Sequence, residues 1–77
     1  MSKREIILEV LRSVKPQVNF EKAHGLLSSS YLDSLEFLSV ITELGNRFGT
    51  EIGVDDITAE NFDTVETIEA LIERIKG

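Results

Sequence analysis

A chain of 77 residues is long enough for one domain around one modest core, and too short to enclose a deep substrate pocket. Eight lysines and arginines stand against 14 aspartates and glutamates, a formal net charge of -6. That balance excludes the basic face that nucleic-acid phosphates require, disfavours an anionic membrane surface, and steers the chain toward basic partners.

The first predicted helix covers 2–14. Ile6, Ile7, Val10, Leu11 and Val14 fall on one face at helical spacing. Ser2 and Glu5 form a capping-box pattern, in which each side chain reaches the other's free backbone N–H. Pro16 cannot continue the helix and biases Lys15 away from helical geometry.

Residues 15–33 read as a long ordered loop. Val18, Phe20, Leu26, Leu27, Tyr31 and Leu32 are too many apolar groups for a disordered linker, so they should pack onto the bundle. A loop of this length in so small a domain is often functional.

The second predicted helix covers 34–48, with Asp33 as N-cap, Glu36 three residues on and Gly49 as C-terminal stop. A rotation of about 100° per residue puts Phe37, Val40, Ile41, Leu44 and Phe48 on the core face. Glu36, Ser39, Glu43, Asn46 and Arg47 lie opposite, and Leu35 falls among these polar residues rather than with the core.

A short helix is expected at 58–62, with Val54, Ile57 and Phe62 anchoring this connection to the core. The last helix covers 64–76, capped by Asp63 and Glu66, with Ile68, Leu71, Ile72 and Ile75 as its buried stripe. Arg74 and Lys76 sit near its C-terminus, where the helix dipole favours positive charge. The expected fold is all-α: one domain over 1–77, a small bundle of three main helices plus one short helix.

No cysteine is present, which excludes disulfides, a thiolate metal site and a cysteine nucleophile, and fits a reducing, cytoplasmic location. No apolar run reaches the length of a membrane span, so direct membrane insertion is not expected. The opening Met-Ser-Lys-Arg-Glu runs into a charged amphipathic stretch, so no signal peptide is expected either. A monomer is the simpler expectation.

Ser34 sits where a long loop meets a helix. Its bland role is to satisfy a free first-turn N–H. It has no flanking glycines to form a nucleophile elbow. His24, the single histidine, has no evident orienting acid for a hydrolase and no second histidine for a metal. Asp55 and Asp56 lack the spacing of a calcium loop, and Ser28, Ser29 and Ser30 lack a Gly-rich phosphate cradle.

Three blocks carry a resemblance. Leu32-Asp33-Ser34-Leu35-Glu36-Phe37-Leu38 resembles the Asp-Ser-Leu attachment motif of acyl carrier proteins and peptidyl carrier domains. The stretch from Glu43 through Arg47 and Phe48 to Glu51-Ile52 is similar to the end of that family's second helix. Thr58 to Val65 resembles its short third helix and the start of the fourth.

The resemblance implies a carrier rather than an enzyme. A phosphopantetheinyl transferase would move 4'-phosphopantetheine from coenzyme A onto Ser34. The thiol of that arm would hold an acyl or aminoacyl group as a thioester for loading and processing enzymes. It also implies that Leu35 is an exposed grip for those partners, flanked by Asp33 and Glu36, with Ser39 and Thr42 further along the same helix.

The chain departs from the bacterial fatty-acid pattern. Tyr31-Leu32 replaces Gly-Ala, Ser39, Gly45 and Asn46 stand where carboxylates are common, and Thr42 replaces an apolar contact. These features are closer to D-alanyl and specialised stand-alone carriers. Fatty-acid, polyketide, D-alanyl and nonribosomal peptide-type pathways all remain compatible. The alternative is an unmodified helical interaction module with a carrier-like fold.

Overall fold

A computed structural model describes residues 2–22 and 32–76. Three α-helices appear among them: α1 (Lys3–Val14), α2 (Ser34–Phe48) and α3 (Val65–Lys76). A single 3-10 turn, Val54–Asp56, lies between α2 and α3, and the described residues contain no strand. The expected Leu26, Leu27 and Tyr31 anchors, His24, and the serines at 28–30 lie outside the described residues.

The Ser2–Glu5 capping box forms as the sequence predicts, with the Glu5 N–H donating to Ser2 Oγ at 3.2 Å. The helix stops at Val14; Lys15 adopts a non-helical conformation ahead of Pro16. At the far end of α2, Gly49 takes the left-handed conformation (φ 64°) that glycine adopts without a Cβ penalty. The Thr50 N–H then closes the helix on the Gly45 carbonyl at 3.0 Å.

α1 packs against both α2 and α3. The core joins Ile7, Leu8, Val10 and Leu11 of α1, Val40, Leu44 and Phe48 of α2, and Val65, Ile68, Leu71 and Ile72 of α3. Phe20, Leu32, Ile52 and Phe62 fill it from the connections. The predicted stripes are right in direction but shifted. Ile6, Val14, Phe37, Ile41 and Ile75 are only partly buried, whereas Leu8 and Val65 lie inside.

Polar contacts tie the helices together outside the core. Arg47 bridges to Glu9 at 2.9 Å, and Arg4 to Glu66 at 3.3 Å. Such surface pairs contribute little individually. The Lys76 Nζ donates to the Phe48 carbonyl at 2.8 Å, placing a cation on the negative end of α2.

Three expectations need correction. The short helical element lies at Val54–Asp56, not at 58–62. At 58–62 one turn closes when the Phe62 N–H reaches the Thr58 carbonyl at 3.1 Å. Side chains take the remaining bonds there. The Asn61 N–H donates to Thr58 Oγ1, and Asn61 Nδ2 donates to the Asp56 carbonyl, so helix does not propagate. Val54 is 85% exposed and anchors nothing, while Phe62 is fully buried and Ile57 packs at the core's edge. Finally, the pair seen at the start of α3 is a reciprocal one between Thr64 and Thr67. Each N–H donates to the other's hydroxyl, at 2.9 and 3.1 Å. This one-residue shift leaves Val65 as the first helical residue, facing the core.

Candidate functional site

The α2 N-terminus is fixed by Asp33. Its Oδ1 accepts the Glu36 N–H at 2.8 Å, its own N–H donates to Glu36 Oε1 at 2.9 Å, and its carbonyl accepts the Phe37 N–H at 2.8 Å. Asp33 therefore carries the capping duty that a serine at this boundary would otherwise perform. Ser34, the first helical residue, is exposed, and its hydroxyl makes no hydrogen bond to any described residue.

The first turn of α2 is held from below. Phe37 meets Phe62 edge-on, with ring centroids 5.2 Å apart and planes at 81°. Leu32 is buried immediately before the cap. Ser34 thus rides on a fixed turn, and no described residue bonds its side chain. Beside it runs an open groove of about 380 Å³, lined by Leu32, Asp33, Ser34, Phe37, Leu38, Ile41 and Ile57. Five of these seven side chains are apolar, so the groove suits a hydrocarbon better than a charged group.

The other predicted site residues divide into two sets. Leu35 is 76% exposed, as the helical rotation requires, and Ser39 and Thr42 are exposed on the same outward side. Leu35, Ser39 and Thr42 follow at spacings of four and three, which places them along one stripe. Leu38 completes that stripe at 60% exposure, although the sequence reading gave it no role beyond the motif. Its signal was available, since it lies three residues from Leu35 and off the core face.

Glu36 behaves differently. Its carboxylate is turned inward, accepting from the Asp33 N–H and from Lys15 Nζ at 3.0 Å, with about a quarter of its side chain exposed. Unlike Leu35, Ser39 and Thr42, Glu36 has its carboxylate bonded within the chain. Among the described residues no cluster of His, Asp and Glu could hold a metal ion, and no helix is long and apolar enough to cross a membrane.

A family model matches this chain from residue 4 to residue 75, and its description is phosphopantetheine attachment site. The chain belongs to that family. Its members are non-catalytic carriers that bind 4'-phosphopantetheine covalently, are modified by phosphopantetheinyl transferases and interact with processing enzymes. No curated protein and no solved structure matches the chain.

The local chemistry fits such an arm. The Ser34 hydroxyl is exposed, and among the described residues neither it nor the Ser34 and Leu35 N–H groups have a hydrogen-bond partner. Unpaired N–H groups and the helix dipole would both favour the negative charge of a phosphodiester at this position. The chain has no cysteine, so any thiol for a thioester must come from the arm.

Proposed function

We propose that Ser34 is the attachment residue and that the chain carries an acyl or aminoacyl group as a thioester for partner enzymes. The observation that carries this reading is the division of labour at the α2 N-terminus. Asp33 occupies the capping position, and the adjacent serine is exposed, its hydroxyl bonded to none of the described residues.

In the loading reaction, Ser34 Oγ attacks the phosphorus of coenzyme A that bears the pantetheine. A new O–P bond forms, the bond to the nucleotide phosphate breaks, and 3',5'-adenosine bisphosphate leaves. The serine proton passes to a base of the transferase. This chain contributes an accessible nucleophile on a fixed turn. The transferase supplies activation, and the tether then raises cargo concentration at a docked enzyme.

Leu35, Leu38, Ser39 and Thr42 form the surface that partners grip, with Asp33 at its end. The groove beside Ser34 favours an acyl cargo with an apolar tail over D-alanine. Incubation with coenzyme A and a broad-specificity phosphopantetheinyl transferase, followed by intact-mass measurement, tests the reading. Wild type gains one phosphopantetheine and Ser34→Ala gains none. A wild-type chain that stays unmodified while a control carrier is loaded refutes it.

A further inference from the structure

Lys15 and Glu36 lie at opposite ends of the long loop, 21 residues apart in sequence, yet meet at 3.0 Å. Lys15 is well placed to act as a fixed post. Its N–H donates to the Leu11 carbonyl at 2.9 Å, and its carbonyl accepts the Val18 N–H at 3.3 Å. Its ammonium reaches the same Glu36 oxygen that accepts the Asp33 N–H. One carboxylate oxygen therefore joins the end of α1 to the residue that caps α2, directly before Ser34.

Lys15 caps the C-terminus of α1, where the helix dipole favours a cation, and its bond to Glu36 offsets the opposing dipole of the α2 N-terminus. The pair is about three-quarters buried at both side chains, where screening is weaker than at the open surface. Both Phe37 below and Glu36 at the side then hold the turn that presents the Ser34 hydroxyl.

We infer that Lys15 is a positioning residue for modification of Ser34: through Glu36 it holds the first turn of α2 in the arrangement that a transferase engages. The inference rests on the assignment of Ser34 as the attachment residue. Glu36 acts here from inside the chain, and not as a carboxylate offered to a basic partner.

The test is steady-state loading of the full chain by a broad-specificity phosphopantetheinyl transferase, with the carrier concentration varied. Lys15→Met is expected to raise the KM for the carrier about threefold to tenfold, because the engaged arrangement is then populated a correspondingly smaller fraction of the time. The kcat stays within about twofold, since the chemical step is unchanged. Lys15→Arg restores most of the loss, Glu36→Gln reproduces it, and the double variant is no worse than either single one.

Four results overturn the inference. A Lys15→Met KM equal to that of wild type means that Lys15 does not position the turn, and one below it means that the released Glu36 meets the transferase directly. Additive effects of the two substitutions mean that they act separately. Failure of Lys15→Arg to recover means that a charge at this position is not what matters. An equal rise in KM for Ile72→Val, a core change in α3, means that general loosening is the cause. Failure of wild type to load at all is a different outcome, and refutes the attachment assignment itself together with everything built on it.

Discussion

Leu35→Ala separates a partner contact from a core residue. Full burial of a leucine contributes about 1.5–3 kcal/mol. Leu35 is 76% exposed, so only about a quarter of that is at stake. The expected loss is roughly 0.4–0.7 kcal/mol, reduced further because alanine is the better helix former. For a domain of this size that lowers the Tm by about 2–5 °C. Leu44→Ala provides the scale. Leu44 is fully buried, and its truncation costs about 2–5 kcal/mol, a large share of a small domain's total stability. In loading assays the order reverses. Leu35→Ala raises the transferase KM for the carrier about fivefold or more, the loss typical of an interface anchor. Circular-dichroism melts and loading kinetics on the same preparation decide the matter. A Tm drop above about 10 °C with normal loading would show that Leu35 is structural and that the outward stripe is misread.

Two further substitutions probe the frame around the site. Gly45→Ala replaces a mid-helix glycine, which ordinarily stabilises a helix by about 1 kcal/mol. Here the added Cβ would lie 2.8 Å from the Thr50 carbonyl oxygen, so the closing turn must shift and its 3.0 Å bond weakens. The expected net effect in urea unfolding is a loss of about 1 kcal/mol, and a more stable variant would contradict it. Phe62→Ala removes a fully buried ring and its edge contact with Phe37. It should cost about 3–5 kcal/mol and expose the backbone amides of the first α2 turn to faster hydrogen exchange.

The helical frame was legible because it rests on local signals. The Ser2–Glu5 and Asp33–Glu36 boxes, the Pro16 stop and the Gly49 stop all act within a few residues, and all formed. The short connection was less legible. Thr58, Asn61, Thr64 and Thr67 can each bond backbone or one another, and spacing alone did not reveal which pairs would form. Val54 was misread because an apolar residue in a short turn has no periodicity to orient it. At the site, the helical rotation marked Leu35 as outward, whereas Lys15 carried no sequence signal. Its contact with Glu36 spans 21 residues and exists only once α1 and α2 have packed.

The attachment assignment is tested most directly by locating the modification. The chain is loaded from coenzyme A, digested, and the peptides are fragmented in a mass spectrometer under conditions that retain the phosphodiester. The account predicts the entire added mass on Ser34, at the exposed start of α2. An arm found on Ser39, or on Ser28, Ser29 or Ser30, would contradict it.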